Sequence, residues 1–315
     1  MAAGSVYGFP LVFACVGDAC GAARSAARSL GSTLAEAYAK SFPDGERYLR
    51  LGLEARGAVA VAVTTGYPEP STRVVESMLL AEALRGLGAA SVVAAPLYLP
   101  YSRQDRRFLR GEPVSVRAVL RGLAASGADA VATVDVHKEY SLDWFPGPAA
   151  NIDPSPVFAD TLRPLLGGGP VYVIGPDHGA VGRAHRLAER LGAAFDYLEK
   201  ARDRVTGEIS LRPKTIDVDG ATVVLVDDIV STGGTLAKAA QLLYRLGARR
   251  VLAAVTHCLL AGAAVERLEE AGLEALVCAN TVKPCWEKAR VADVGPLLAE
   301  AARSLAERLL GYEKA

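Results

Sequence analysis

Short apolar runs alternate with longer helical patterns along this chain, and the alternation constrains its fold more than any single motif does. AVAVAVTT (Ala58–Thr65) is followed by STRVVESMLLAEALRGLG (Ser71–Gly88), and ATVVLVDD (Ala221–Asp228) by TLAKAAQLLYRLG (Thr235–Gly247). In each pair the first segment is apolar at successive positions, so both of its faces want burial, and the second carries apolar residues at helical spacing. Strand, helix, strand in this order joins parallel strands through crossover helices and covers the sheet on both sides. With 315 residues, 51% of them hydrophobic, there is enough apolar material for two such cores.

The pattern also repeats. LRGLGAASVVAA (Leu84–Ala95) aligns with LYRLGARRVLAA (Leu243–Ala254), and each stretch follows a strand, a loop with a Ser-Thr pair (Ser71-Thr72; Ser231-Thr232) and an amphipathic helix. This predicts an α/β chain of two similar domains, residues 1–150 and 151–295, divided within PGPAANIDPSP (Pro146–Pro156). A closing helix over 296–310 is expected to complete the first domain.

Chemistry concentrates where VLVDDIVSTGGTL (Val224–Leu236) passes from strand to helix. Open α/β sheets bind ligands beyond the carboxyl ends of their strands, where Asp227 and Asp228 fall. Gly233 and Gly234 let consecutive amide N–H groups turn toward one anion, the opening helix adds positive potential, and Ser231, Thr232 and Thr235 add hydroxyl donors. A phosphate cradle beside two carboxylates suits a phosphorylated sugar, with the acids holding hydroxyls directly or through Mg²⁺. The plainer alternative is a capped helix preceded by a solvated acidic loop.

VLVDDIVSTGGT resembles the phosphoribosyl-binding signature of the type I phosphoribosyltransferase superfamily, and the other motifs, in order along essentially the whole chain, resemble those of its ribose-phosphate pyrophosphokinase family. The fold implied is two phosphoribosyltransferase-type domains, each a mainly parallel sheet flanked by helices, with the phosphate loop degenerate in the first. The resemblance implies that Arg103, Gln104 and Asp105 in SRQDRR and His137 in DVHKEY hold ATP, and that His137 and Asp177 contact Mg²⁺. SFPDGERY (Ser41–Tyr48) is similar to an adenine loop, whose Phe42, Asp44 and Glu46 would reach the base in a neighbouring subunit of a homo-oligomer, a dimer or a multiple of dimers. LEKARDRVTGEI (Leu198–Ile209) is similar to a catalytic flap with Lys200 and Arg202 on its basic positions. Asp227, Asp228, Ser231, Thr232, Gly233, Gly234 and Thr235 would then serve ribose 5-phosphate.

The implied reaction carries the diphosphoryl group of MgATP to the 1-hydroxyl of ribose 5-phosphate, giving phosphoribosyl diphosphate and AMP for nucleotide biosynthesis. The chain departs from the family pattern at Ser231, where many bacterial relatives carry Asp, at Ala201 inside the flap's basic triplet, and at His178 and Ala180 after Asp177. A purine or pyrimidine phosphoribosyltransferase would share the sugar loop and lack SRQDRR and DVHKEY. A non-catalytic associated subunit would be expected to lose flap or metal residues, yet Lys200, Arg202, His137 and Asp177 are all present.

Composition narrows the partners. Thirty-five basic residues balance thirty-five acidic ones with no long single-sign run, so neither nucleic acid nor an anionic membrane is expected to bind. MAAGSVYGFPLVFACVGDAC at the start is apolar, but it has no basic residue before Arg24 and breaks at Gly8, Pro10 and Gly17, so it reads as a first strand in a cytoplasmic protein. Cys15, Cys20, Cys258, Cys278 and Cys285 make no metal-ligand spacing with the four histidines and read as buried thiols. Two Asn and two Gln beside abundant Ala, Arg and Gly suit a heat-adapted protein, in which an intracellular disulfide stays open.

Overall fold

The run AVAVAVTT becomes a strand because Val59–Thr64 are buried without a break, which only the interior of a sheet covered on both faces provides. The computed structural model describes residues 9–202, 209–213 and 216–311, with side chains at 9–199 and 216–311. The chain divides into two units, one running to Asp153 and resuming at Asp293, the other Pro154–Ala292.

The first unit runs β1 (Leu11–Cys15), α1 (Cys20–Leu30), β2 (Thr33–Glu36), β3 (Tyr38–Ser41), β4 (Arg47–Arg50), β5 (Val59–Thr64), α2 (Pro70–Gly86), β6 (Ser91–Pro96), α3 (Ser115–Ala125), β7 (Ala130–Val134) and β8 (Ala149–Ile152). Six strands form a parallel sheet in the order β2-β1-β5-β6-β7-β8. β3 and β4 make a separate antiparallel hairpin.

The second unit runs α4 (Ser155–Leu166), β9 (Val171–Gly175), α5 (Val181–Leu191), β10 (Ala194–Arg202), β11 (Ile209–Pro213), β12 (Thr222–Val230), α6 (Gly234–Arg245), β13 (Arg250–Cys258), α7 (Ala264–Glu270), β14 (Ala275–Ala279) and β15 (Arg290–Ala292). Its sheet is β11-β10-β9-β12-β13-β14-β15, parallel except where β11 turns back on β10. The chain then returns to the first unit as α8 (Gly295–Leu309), which buries Leu298, Ala302 and Leu305 and packs along α1. The approach is close: a Cβ on Gly295 would fall 2.3 Å from that of Ser25.

The two units share one topology. In both, the second main strand lies outside the first, the third to sixth follow on the other side, and a hairpin precedes the third: β3–β4, after the second strand, in one, and β10–β11, built on the second strand itself, in the other. The switch point, where the strand order reverses and α/β sheets open a crevice, lies between β1 and β5 in the first unit and between β9 and β12 in the second.

The cysteines depart from the expected buried thiols. Cys15, ending β1, is bonded to Cys20, opening α1, and Cys258 on β13 is bonded to Cys278 on β14, with Cα separations of 5.2 Å and 5.9 Å. The second pair arises because the sheet sets neighbouring strand ends side by side, a proximity that sequence spacing does not carry. Among the described residues no helix is long and apolar enough to cross a membrane.

Candidate active site

In the second unit, β12 extends past the apolar run to Val230, so Asp227 and Asp228 lie on the strand's last turns of pleat rather than beyond it. Asp228 is buried and Asp227 half-buried, and the Asp228 amide donates to Asp227 Oδ1 at 2.9 Å. Two carboxyls in a nearly closed site cannot both ionise at low cost. Asp227 is pushed up to about 8, by burial first and then by the neighbouring Asp228 carboxylate, while the Asp228 amide and Arg183 pull it down.

Beyond Val230 the chain turns through Ser231 and Thr232 into Gly233, which sits in the left-handed region with φ +75°, and α6 begins at Gly234. The loop is held by its carbonyls. Val230 O accepts from Leu259 N at 2.9 Å, Ser231 O from Ala261 N at 2.9 Å, and Thr232 O from Arg267 Nη1 at 2.7 Å. A loop fixed through its carbonyls presents its amides, together with the opening end of α6, to an anion. Thr232 and Thr235 are exposed and Ser231 is half-buried.

Asp177 follows β9, on the other side of the switch point. It is exposed, and its Oδ1 accepts from Gly179 N at 2.7 Å, which shapes a single 3₁₀ turn before α5. Arg183, which sequence reasoning missed, ties the two acidic loops together: Nη2 lies 3.6 Å from Asp228 Oδ2, and Nη1 donates to Gly179 O at 3.5 Å. The His178 ring meets Tyr197 edge-on at 5.2 Å. Lys200 and Arg202 lie on the backbone of β10, opposite Leu211 and Ile209 of β11, and their side chains fall outside the described residues. Asp196 on β10 accepts from the next residue's Tyr197 N and from Ile216 N, in the segment after β11.

In the first unit, the segment after β6 exposes Arg103 but buries Asp105, whose carboxylate accepts from the Tyr140 hydroxyl. That bond, with burial behind it, raises the Tyr140 pKa. Asp105 therefore clamps SRQDRR to DVHKEY, a role that competes with direct contact to a nucleotide. Gln104 accepts from Ser115 Oγ. His137 is half-buried and follows Asp135, a buried non-glycine residue at φ +45°. Strain of this kind persists where the surroundings enforce it, here through Asp135 N to Ile152 O and Val136 N to Asn151 Oδ1.

The β3–β4 hairpin carries Phe42, Asp44 and Glu46 on its exposed turn. Phe42 N donates to Glu46 O at 2.8 Å, and Asp44 Oδ1 accepts from Glu46 N at 3.1 Å. Lys40 Nζ stands 5.0 Å from the Phe42 ring centre, and Tyr48 meets that ring edge-on.

Among the described residues, His137 in the first unit presents a half-buried imidazole and Asp177 in the second an exposed carboxylate. Among the described residues, the one convergence of three potential ligand side chains is Cys15, Cys20 and Glu36, and its two sulfurs are bonded to each other. An open carboxylate at Asp177 fits a hard cation that keeps most of its ligands from water and phosphate oxygens.

Comparison with known proteins agrees with this geometry. Residues 157–275 match the phosphoribosyl transferase domain, the class that the switch-point crevice and glycine loop define, and residues 16–127 match the N-terminal domain of ribose phosphate pyrophosphokinase. The chain is 42% identical to the ribose-phosphate pyrophosphokinase of Aeropyrum pernix over 80% of its own length and 82% of that protein's. It is also 42% identical to that of Methanopyrus kandleri, over 84% and 89%. The crystal structure of phosphoribosylpyrophosphate synthetase from Mycobacterium smegmatis superposes with a TM-score of 0.83 at 29% identity, covering 95% of this chain and 99% of that one. The chain belongs to the ribose-phosphate pyrophosphokinase family and is a transferase.

Proposed function

We propose that the protein transfers the β,γ-diphosphoryl group of ATP to the 1-hydroxyl of ribose 5-phosphate, yielding phosphoribosyl diphosphate and AMP. The observation that carries this reading is the pairing of a phosphoribosyl transferase match over residues 157–275 with a pyrophosphokinase N-terminal match over 16–127. A simple phosphoribosyltransferase has no use for the second.

In this reading the Ser231–Thr235 loop holds the 5-phosphate through its amides and hydroxyls, and Asp227 and Asp228 orient the ribose hydroxyls. Arg103, Gln104, Asp105 and His137 hold the nucleotide, with Asp105 acting through its clamp to Tyr140. The sugar O1 forms a bond to the β-phosphorus as the bond from that phosphorus to the α,β-bridging oxygen breaks; AMP departs with the electron pair, and the proton of the 1-hydroxyl is released to solvent. Such a transfer is catalysed by alignment and by charge neutralisation, the part given to Lys200 and Arg202. Mg²⁺, met by His137 and Asp177, supplies further neutralisation of phosphate oxygens when bound.

The working assembly is a homo-oligomer in which Phe42, Asp44 and Glu46 of one chain reach the adenine of a neighbour's site, and its place of work is the cytoplasm. The decisive experiment follows nucleotides from ATP with and without ribose 5-phosphate: AMP should appear only with the sugar. ADP as the product, or AMP formed without the sugar, refutes the assignment.

A further inference from the structure

We propose that Glu76 is a positioning residue for the nucleotide: through Arg47 and Arg73 it fixes the β3–β4 hairpin, and with it Phe42, Asp44 and Glu46, beside the carboxyl end of β5. The inference rests on the reading of that hairpin as the adenine contact.

Glu76 lies on the buried face of α2 with Ser77, Leu80, Ala81 and Leu84, and its relative exposure is 0%. Helical spacing there asks for an apolar residue, since a carboxylate withdrawn from water needs full compensation. Two guanidinium groups provide it, one for each oxygen. Arg47 Nε is 2.5 Å from Oε1, and Arg73 Nη1 is 2.6 Å from Oε2.

Both arginines reach further. Arg47 opens β4 directly after Glu46, and its Nη1 donates to Ser41 Oγ, on the last residue of β3, at 3.2 Å. One side chain therefore grips both legs of the hairpin at the base of its turn. Arg73 Nε donates to Pro68 O at 3.1 Å, holding the loop between β5 and α2. Glu76 is the common acceptor that joins the hairpin to this loop.

The hairpin needs such an anchor. It belongs to neither large sheet, and a two-stranded ribbon alone is marginal in water. Leu49 of β4 and the following Leu51 pack against the cluster that includes Leu80, Ala81 and Leu84, but apolar packing tolerates sliding. A charged, directional contact at the turn's base sets the aim of Phe42, Asp44 and Glu46.

The test is steady-state kinetics of the full chain for both substrates in Phe42→Ala, Arg47→Met, Arg47→Lys and Glu76→Gln, with unfolding midpoints measured alongside. Arg47→Met leaves Glu76 paired with Arg73, so it strands no buried charge and decides the matter alone if Glu76→Gln fails to fold. Phe42→Ala, Arg47→Met and Glu76→Gln should each raise KM for ATP by about tenfold or more while KM for ribose 5-phosphate stays within about twofold, and Arg47→Lys should recover part of the loss. If Phe42→Ala raises KM for ATP and Arg47→Met does not, the anchor is refuted. Equal rises in both KM values with a lowered midpoint refute it too, because that pattern marks general loosening. An unchanged KM for ATP in Phe42→Ala overturns instead the adenine reading on which the anchor rests.

Discussion

Gly233 shows how little freedom the turn proposed to hold the sugar phosphate has. A Cβ there would meet the Ala264 carbonyl oxygen at 3.1 Å from a left-handed backbone at φ +75°, whereas one on Gly234 finds nothing within 4 Å. Gly233→Ala should therefore destabilise the second unit by about 1–2 kcal/mol and raise KM for ribose 5-phosphate by about tenfold. Gly234→Ala should leave stability within about 0.5 kcal/mol, so any rise in its KM reports a Cβ meeting substrate. Unfolding and kinetics on the two variants check this, and an unchanged KM for ribose 5-phosphate in both would mean that the turn is not the cradle. Asp227 has a different signature. Its pKa in the fold, about 8, exceeds that of an exposed carboxyl, so the native state holds a proton that the unfolded chain has lost. The stabilisation is complete at acid pH and fades as pH rises through the native value. Between about pH 6 and about pH 8 the ligand-free protein should lose on the order of 2 kcal/mol that Asp227→Asn does not lose, read from denaturant midpoints. Parallel pH profiles would contradict the buried-pair electrostatics.

At the scale of elements, the two hairpins repay comparison. Each precedes the third main strand of its unit, so the shared topology delivers one exposed hairpin bearing Phe42, Asp44 and Glu46 and another whose first strand bears Lys200 and Arg202. The first is rooted in a buried carboxylate with two arginines; in the second, Asp196 on β10 accepts from Tyr197 N and from Ile216 N, in the segment after β11. If β10–β11 brings cations to the transferring phosphoryl group, Lys200→Ala should lower kcat by a factor on the order of 10³, the scale of a cation that acts in the transition state. KM for ribose 5-phosphate should move little if that substrate is held, as proposed, by the turn after β12. Near-normal turnover in this variant would remove β10–β11 from the chemistry.

The whole molecule poses the question of which chain completes which site. The hairpin residues Phe42, Asp44 and Glu46 belong to one unit and the turn Ser231–Thr235 to the other. Joint replacement of Asp44 and Glu46 by Ala in one gene, and of Lys200 and Arg202 by Ala in a second, should give two nearly inactive proteins. If the adenine site is shared across a two-fold pairing, each mixed dimer holds one site with both defects and one with none. Random assortment then restores roughly a quarter of wild-type activity. No recovery in oligomers shown to be mixed would rule out the shared site.

Much of this protein is written locally in its sequence. Alternation of Val59–Thr64 with the helix after it, and of Val223–Val226 with α6, specifies covered parallel sheets because burial of a run or a stripe is decided by residues adjacent along the chain. The cradle is legible for the same reason: Asp227, Asp228 and Ser231–Thr235 are contiguous, and once the strand exists its end and the next helix's start have nowhere else to go. Contacts between distant segments are another matter. Periodicity marks Glu76 as facing inward but does not say that Arg47 meets it, and nothing in the spacing joins Arg183 to Asp228, Tyr140 to Asp105 or Cys258 to Cys278. Those partners are chosen by strand order and by how each helix seats on its sheet, since charge pairing and sulfur bonding act only over a few ångströms and only the folded chain sets such distances.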